Sequence, residues 1–257
     1  LTANKNYKKL IKQIKFFNVK NVIITDEKTF LTTKKILKNK NVNIYRDFNS
    51  LKIIFNKNKI DYTMSAISGL EGLKPTLDII KFTKIIAIAN KEAIICGWSL
   101  IKDELKKFKT KFIPVDSEHF SIWYALKENN IKNVEKIILT ASGGPFFKLP
   151  LNKFKNIKIN QALNHPRWKM GKKISVDSAT MMNKVFEIIE AKNIFNLSYS
   201  KLSILIHPAS YIHAILKFNN GLIKIIAHDT TMNIPIFNTL YLNSKKTLKS
   251  KNLDIHK

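Results

Sequence analysis

The chain is 257 residues long, 45% hydrophobic and 25% charged, a composition typical of a globular protein large enough for two domains. Its formal net charge is +27, but only Arg46 and Arg167 are arginines, and the lysines are spread along the whole chain. Because arginine is the usual bidentate partner of phosphate and guanine, this pattern argues against specific nucleic-acid binding. The single cysteine, Cys96, excludes an intrachain disulfide and a multi-cysteine metal site.

Hydropathy gives no sign of a membrane segment. No apolar run approaches the roughly 20 residues that a membrane-spanning helix needs. The first 30 residues also lack the apolar core of a signal peptide. We therefore expect no membrane partner.

Helix-like and strand-like segments alternate through the first part of the chain. Apolar residues at helical spacing predict helices over residues 6–17, 28–37, 50–55, 73–82 and 90–108. Short apolar runs predict strands at 21–25, 42–45, 60–66, 85–89 and 112–115. This alternation predicts an α/β fold with a doubly wound (Rossmann-like) parallel sheet, whose ligands bind beyond the carboxyl ends of the strands.

Polar side chains follow two of these strands directly. Asn90, Lys91 and Glu92 come after the strand at 85–89, and the run Asp-Ser-Glu-His at 116–119 comes after the strand at 112–115. Both clusters lie where an α/β sheet keeps its ligands. The alternative is that both are ordinary helix caps, which use the same residue types.

The pattern changes after residue 127. A strand at 135–141 runs into Ser142-Gly143-Gly144-Pro145, a turn that would let backbone N–H groups approach a ligand. Further strands are expected at 203–206, 212–218 and 222–227, the last two joined by an Asn-Gly hairpin turn. The second half therefore reads as α+β with an antiparallel sheet.

Residues 165–191 hold the densest set of reactive side chains. From a cap at Ser178, helical spacing places Met182, Val185, Phe186 and Ile189 on one stripe, which we expect to face the core. The opposite arc carries polar residues, which are Thr180, Asn183, Lys184, Glu187 and Glu190. A helix start capped by Ser178 could hold a phosphate. The alternative is an ordinary amphipathic helix with a solvated polar face.

Three carboxylates stand out as a possible metal site: Asp116 and Glu118 at a strand end, and Glu187 on the helix. Ligands of oxygen alone suit a hard divalent ion such as Mg²⁺ or Mn²⁺ rather than zinc. Their separation in sequence leaves open whether they meet.

Five motifs occur in order: ANKEA at 89–93, PVDSEH at 114–119, LTASGGPF at 139–146, HPRWKMGKKISVDSATMMNK at 165–184 and IHPASYIH at 206–213. Together they resemble the 1-deoxy-D-xylulose 5-phosphate reductoisomerase family. The resemblance runs from the first residues, where TANKN is similar to the family's A-G-K-N, to about Ile236. It implies an enzyme that rearranges 1-deoxy-D-xylulose 5-phosphate and reduces it with NADPH to 2-C-methyl-D-erythritol 4-phosphate, in the methylerythritol phosphate route of isoprenoid biosynthesis.

The resemblance also implies a role for each matching residue. Asp116, Glu118 and Glu187 would hold Mg²⁺, Mn²⁺ or Co²⁺. The implied catalytic residues are Lys91, Glu118, His165 and Glu187. The implied substrate contacts are Lys91, Ser117, Glu118, Ser142, His165, Trp168, Ser178, Asn183, Lys184 and Glu187, with Met170 completing an apolar lid. The implied NADPH contacts are Asn4, Lys5, Asn6, Asn90, Glu92 and Gly171.

The resemblance also divides the chain. It implies an NADPH-binding domain at 1–115, a catalytic metal- and substrate-binding domain at 116–243 and a linker at 244–257. The family's glycine-rich phosphate loop and its C-terminal helical domain would lie outside residues 1–257, so we expect this stretch to be an incomplete enzyme. A homodimer in the bacterial cytoplasm or the plastid stroma is also implied.

Several positions depart from the family's pattern. Asn4 and Val185 replace glycines, and Ala209 replaces the glutamine of HPQS. Where the family has G-x-P-D-M-R, residues 228–233 read H-D-T-T-M-N, a change that we expect to affect packing or dimer contacts more than the chemistry. His207 and His213 are expected to be buried, hydrogen-bonded residues rather than ligands.

Two other functions are compatible with the sequence. A lysine-rich relative that has lost turnover would bind polyanions non-specifically, with salt-dependent retention on DNA. A different nicotinamide enzyme acting on sugar phosphates would be separated from the first reading by its substrate profile.

Overall fold

The fold is taken from a computed structural model, which describes residues 1–56, 59–168, 170–242 and 244–249. The helices are α1 Tyr7–Phe17, α2 Glu27–Ile36, α3 Leu51–Ile54, α4 Leu73–Ile80, α5 Lys91–Phe108, α6 Ser117–Ala125, α7 Ile159–Leu163, α8 Lys172–Ala179, α9 Met182–Phe195 and α10 Asn233–Leu240. The strands are β1 Thr2–Ala3, β2 Asn21–Ile24, β3 Asn43–Tyr45, β4 Ile60–Ser65, β5 Thr83–Ile88, β6 Lys111–Pro114, β7 Val134–Ala141, β8 Leu202–Ile206, β9 Ile212–Phe218 and β10 Ile223–Ala227.

The first half is the predicted parallel α/β unit. Its strands form two three-stranded sheets in the described residues, β1-β2-β3 and β4-β5-β6, with every pairing parallel. Ile23 of the first sheet belongs to the same buried cluster as Ile86 and Ile88 of the second. Parallel strands covered on both faces need such continuous runs of branched apolar residues. The Rossmann-like class is therefore confirmed, with its hydrogen-bonded ladder divided in two.

The second half carries a mixed sheet of order β10-β9-β7-β8. β7 pairs antiparallel with β9, and β9 with β10, through a hairpin in which Gly221 has a φ of +85°. β7 and β8 are parallel, so the sheet is mixed, whereas the sequence predicted an antiparallel sheet. The connection from β7 to β8 passes through α7, α8 and α9, which is long enough for the crossover that parallel pairing requires.

The 165–191 stretch contains two helices rather than one that starts at Ser178. Ser178 lies near the end of α8, and Met181 takes a left-handed conformation with a φ of +62° between α8 and α9. The predicted Ser178 cap is therefore wrong, because Ser178 lies inside α8 and α9 begins only after Met181.

Helix α9 also presents the opposite face to the core from the one expected. Met182 and Val185 are 42% and 44% exposed, whereas Lys184, Glu187 and Glu190 are 5%, 2% and 1% exposed. Both the apolar-in prediction and the solvated-face alternative are contradicted. Burying these charges is possible because α5 and α6 bring charges of opposite sign against them, as the site geometry shows.

Among the described residues, no helix has the length and apolar character needed to cross a bilayer.

Candidate active site

The three predicted metal ligands meet where α5, α6 and α9 converge. Asp116 caps the N-terminus of α6 directly after β6, Glu118 lies in the first turn of α6, and Glu187 lies within α9. One carboxylate oxygen from each lies within 4.8 Å of the others. A separation of 69 residues between Glu118 and Glu187 is thus closed by the fold.

Two lysines compensate these carboxylates. The Lys91 Nζ lies 3.3 Å from Asp116 Oδ2 and 3.3 Å from Glu187 Oε1, and it donates to Asn183 Oδ1 at 2.6 Å. The Lys184 Nζ donates to Glu118 Oε1 at 2.7 Å and also contacts Glu187 Oε2. Both ammonium groups are buried. Their positive charges balance the carboxylates, as the charge of a bound divalent ion would.

The electrostatics of the cluster are set by burial and by these contacts. Burial favours the neutral form of Asp116, but Lys91 and His119 hold the pKa of its carboxyl well below the usual range. Burial and the Glu187 carboxylate raise the pKa of Glu118 to about 7, against the opposing effect of Lys184. Burial disfavours the charged form of Lys91, but Asp116 and Glu187 raise its pKa well above the ordinary value.

His119 and Glu190 extend the cluster, although the motifs assigned neither of them a role. His119 is fully buried, with Nε2 2.8 Å from the Glu187 carbonyl oxygen and Nδ1 3.2 Å from Asp116 Oδ1. Because a carbonyl only accepts, Nε2 must donate. The other ring nitrogen, Nδ1, faces the carboxylates of Asp116 and Glu190. Burial alone would lower the pKa of His119, but Glu190 and Asp116 raise it to about 9. Through these contacts the His119 ring links α6 to α9.

The donor set fits a hard divalent ion. Among the described residues, the cluster brings four carboxyl groups together with two lysines and one histidine; Glu187 and Glu190 are buried, whereas Asp116 and Glu118 are partly exposed. Burial raises the pKa of Glu190 to about 8. Three carboxyl groups that bring only oxygen atoms within 4.8 Å of one another form the kind of ligand set that Mg²⁺ or Mn²⁺ prefers.

A pocket of about 230 Å³ opens beside this cluster. Every residue predicted to contact substrate lines it, namely Lys91, Ser117, Glu118, Ser142, His165, Trp168, Ser178, Asn183, Lys184 and Glu187. Met170 of the predicted lid lines it as well. The sequence motifs therefore assemble around one cavity.

The Ser142 hydroxyl is placed to donate a hydrogen bond into this pocket. His165 Nδ1 accepts from the backbone N–H of Trp168 at 2.9 Å, so its Nε2 carries the proton and donates to Ser142 Oγ at 3.1 Å. Ser142 Oγ also accepts from Gly144 N at 3.1 Å. With two donors aimed at its oxygen, the hydroxyl proton of Ser142 is left for a ligand. Burial lowers the pKa of His165, in agreement with a neutral ring.

Gly144 brings the Ser142 turn against the end of α8. Its φ is +72°, and a Cβ there would lie 2.6 Å from the Ser178 carbonyl oxygen. Only glycine fits this close approach. Ser142 and Ser178 therefore face the same cavity from two elements.

The predicted NADPH contacts form two groups outside the pocket lining. Asn4 donates to Thr25 Oγ1 at 2.8 Å and Asn6 caps α1, both near the exposed Lys5. The second group lies where α5 and α8 begin. There Asn90 caps α5, Gly171 precedes α8, and Glu92 pairs with Lys173 at 3.1 Å. The cap on α5 agrees with the alternative reading of Asn90.

Residues 228–233 contribute to the pocket wall, so the expectation that their change mainly concerns packing or dimer contacts was incomplete. Met232 lines the cavity. His228 stacks on His213, which also lines it, with ring centroids 3.7 Å apart. His213 is buried and its Nε2 lies 3.1 Å from the His228 carbonyl oxygen, as expected. Its place on the pocket wall was not expected, since only the tertiary fold brings β9 there.

Comparisons with known proteins agree with this geometry. Residues 1–97 match a family model described as 1-deoxy-D-xylulose 5-phosphate reductoisomerase, and residues 112–195 match the model of that enzyme's C-terminal domain. The 1-deoxy-D-xylulose 5-phosphate reductoisomerase of Pelagibacter ubique (strain HTCC1062) is 69% identical over 256 residues, which are 99% of this chain and 66% of that protein. That of Clostridium botulinum (strain Eklund 17B / Type B) is 40% identical over 99% of this chain and 67% of that protein. The chain belongs to the 1-deoxy-D-xylulose 5-phosphate reductoisomerase family.

Solved structures of the family have the same fold. The Zymomonas mobilis enzyme in complex with NADPH matches with a TM-score of 0.89 at 36% identity, over 100% of this chain and 66% of that one. A reductoisomerase in complex with NADPH, fosmidomycin and magnesium matches with a TM-score of 0.88 at 29% identity, over 100% and 65%. This chain therefore spans about two thirds of the length of the relatives that it matches.

The raised pKa of Glu118 predicts how metal affinity depends on pH. A ligating carboxylate must be deprotonated, so the affinity for Mg²⁺ should rise by about fivefold as the pH increases from about 6 to about 7, and level off above about pH 8. Calorimetric titrations of Mg²⁺ at several pH values measure this, and Glu135→Gln on the exposed face of β7 should reproduce the wild-type profile. A profile that is flat from about pH 5.5 to 8 would show that Glu118 does not exchange a proton for the ion.

Proposed function

We propose that this chain carries the active site of an NADPH-dependent reductoisomerase that converts 1-deoxy-D-xylulose 5-phosphate to 2-C-methyl-D-erythritol 4-phosphate in isoprenoid biosynthesis. The observation that carries the proposal is the meeting of Asp116, Glu118 and Glu187 at one wall of a pocket. Two further observations support it. The relatives bear the name of this enzyme, and solved structures of the family are complexes with NADPH and with magnesium.

Asp116, Glu118 and Glu187 would hold Mg²⁺, Mn²⁺ or Co²⁺. The bound ion would act as a Lewis acid toward the carbonyl and hydroxyl oxygens of the ketose. Lys91 and Ser117 border the same end of the pocket and would orient those oxygens. Ser117 Oγ already donates to Glu118 Oε2 at 2.5 Å, which fixes the carboxylate.

Four lining residues suit a phosphate, and two of them, Asn183 and Lys184, lie beside the carboxylates. Ser142 and Ser178 offer hydroxyl groups, and Asn183 and Lys184 add an amide and a positive charge. Lys184 is paired with Glu118 and Glu187 in the present arrangement. It can turn to a phosphate once a divalent ion, rather than its own ammonium, balances those carboxylates. This exchange would couple metal binding to substrate binding.

His165, Trp168 and Met170 would close the pocket. All three line it, and the Trp168 ring packs edge-on against His213 with centroids 6.1 Å apart. An apolar cover of this kind excludes water, which strengthens the electrostatic contacts inside. His165 links this cover to Ser142, one of the proposed phosphate contacts, by a hydrogen bond.

NADPH would bind along the carboxyl edge of the parallel sheets, as dinucleotides do in this fold class. We assign it Asn4, Lys5 and Asn6 after β1, and Asn90, Glu92 and Gly171 at the starts of α5 and α8. Lys5 is the exposed cation of the first group and suits the 2′-phosphate that distinguishes NADPH from NADH. Contact between the cofactor and the side chains of Asn4 and Asn6 would require Asn4 to leave Thr25 and Asn6 to leave the cap of α1.

We propose that the domains are residues 1–115 and 116–243, joined where β6 ends and α6 begins, with a linker at 244–257 of which 250–257 lie outside the described residues. The matching relatives are bacterial. They support the bacterial cytoplasm as the location, and nothing supports the plastid stroma.

We also propose that the protein is a homodimer that pairs through the open face of the second sheet. Ile138, Ile215 and Ile225 lie in register across β7, β9 and β10, and Ile225 is 54% exposed. The opposite face of the sheet is buried in the core with Leu139, Ala191 and Leu216. A row of isoleucines on an open sheet face is the kind of apolar patch that subunit interfaces cover.

The assigned roles predict different kinetic effects for two substitutions in the intact enzyme. Glu187→Gln should lower kcat by about 100-fold or more, because it removes a carboxylate that stabilises developing charge through the ion. Lys184→Ala should mainly raise KM, because a phosphate remote from the reacting carbons supplies uniform binding. Steady-state assays of NADPH oxidation with 1-deoxy-D-xylulose 5-phosphate measure both, and Glu135→Gln is the matched control.

The reverse ranking would mean that the two roles on α9 are assigned to the wrong residues. Turnover of other sugar phosphates in preference to this one would favour a different nicotinamide enzyme. Salt-dependent DNA retention without any metal-dependent NADPH oxidation would favour a polyanion-binding protein.

The dimer proposal predicts that Ile225→Lys weakens self-association. A charge at the centre of an apolar interface must be desolvated, so the dimer dissociation constant should rise by at least about 100-fold. Sedimentation equilibrium measures this. Leu70→Lys serves as the control, because Leu70 is 58% exposed but lies next to α4, away from this sheet. Unchanged self-association of Ile225→Lys would place the interface elsewhere.

A further inference from the structure

Ser210 is a polar residue of the pocket wall that neither the motifs nor the proposed roles use. It is 6% exposed and lines the cavity, yet its Oγ is buried without a hydrogen-bond partner among the described residues. A buried hydroxyl without a partner is uncommon in native proteins, because its lost hydration is not replaced. Such an atom indicates a partner that comes from outside the chain.

The backbone at Ser210 is held in an unusual conformation. Its φ is +55°, in the left-handed region that residues other than glycine, asparagine and aspartate seldom adopt. Strained residues of this kind persist where the surrounding structure fixes them, and they cluster at ligand sites. The strain and the unpaired hydroxyl are independent observations on the same residue.

Hydrogen bonds hold the turn that carries Ser210 in place. Ser210 N donates to the His207 carbonyl oxygen at 2.9 Å, and His207 N donates to the Ala141 carbonyl oxygen at 2.7 Å. On the lid side, Arg167 Nε donates to the Pro208 carbonyl oxygen at 3.2 Å. The turn is thus anchored to the residue that precedes Ser142, and Ser210 and Ser142 line the same cavity.

We propose that Ser210 is a further anion contact of this pocket, donating its hydroxyl proton to a phosphate oxygen of the substrate. The proposal rests on the proposed function for the sugar phosphate, and it adds a contact to Ser142, Ser178, Asn183 and Lys184. A phosphate offers several acceptor oxygens, so one more neutral donor fits beside the others. The pocket would then grip the phosphate from the turn at 207–210 as well as from β7, α8 and α9.

Two substitutions separate the hydroxyl from the strain. Ser210→Ala removes the hydroxyl and keeps a Cβ at positive φ, whereas Ser210→Gly removes both the hydroxyl and the strain. Each should weaken binding of inorganic phosphate by about tenfold, since each loses one hydrogen bond to a charged group. Neither should lower the melting temperature in the absence of ligand, because the removed hydroxyl has no partner to lose. Ser203→Ala on β8, outside the cavity, is the matched control.

The measurement is a calorimetric titration of the intact protein with inorganic phosphate in the presence of Mg²⁺, alongside melting curves without phosphate. Weaker phosphate binding by both Ser210 variants, with wild-type affinity in Ser203→Ala, is the expected result. Wild-type affinity in Ser210→Ala, or no phosphate binding by the wild type, would overturn the proposal. A lower melting temperature in both Ser210 variants with unchanged affinity would assign Ser210 to the fold instead.

Phosphate binding needs no turnover, so the two proposals fail separately. If the wild type binds phosphate in a Ser210-dependent manner but does not convert 1-deoxy-D-xylulose 5-phosphate, the reaction is misassigned and the anion contact stands. If the wild type is active, Ser210→Ala should raise KM more than it lowers kcat.

Discussion

Burial of negative charge is the constraint on which this structure depends. Four carboxyl groups lie between α5, α6 and α9 with three groups that can carry positive charge; the acids are Asp116, Glu118, Glu187 and Glu190, and the cations are Lys91, Lys184 and His119. Removing one partner of a buried ion pair typically costs about 3–5 kcal/mol, so each of these groups holds the others in place. A divalent ion would be shared by the carboxyl oxygens of Asp116, Glu118 and Glu187, which lie within 4.8 Å of one another.

The same charges join the two halves of the chain. Lys91 begins α5 after β5 of the first half, whereas Asn183 and Glu187 belong to α9 of the second. Within the second half, His119 links α6 to α9, because its ring donates to the Glu187 backbone while facing Asp116. The site is therefore also the joint between the nucleotide-binding fold and the sheet that carries the substrate pocket. A change in the charge of the site, such as metal binding, would therefore alter contacts made by both halves of the chain.

Much of this could be predicted from sequence, for identifiable reasons. Strands that end in polar residues located Asp116 and Glu118, since parallel sheets keep ligands at that edge. Glu187 could be joined to them only through the family motifs, because spacing along the chain does not report distance. The orientation of α9 was wrong because amphipathic analysis assumes that charges face water, and here they are buried against opposite charges. Ser210 and His213 were missed because their importance depends on the tertiary position of one turn and one strand.

The most direct test of the central claim is an anomalous diffraction experiment on crystals of the intact protein grown with Mn²⁺. We expect one anomalous peak about 2.0–2.2 Å from a carboxylate oxygen of each of Asp116, Glu118 and Glu187. The Lys184 ammonium should be displaced from both glutamates. A peak between Asp116, His119 and Glu190 instead, or no peak with Lys184 still paired to Glu118, would contradict it.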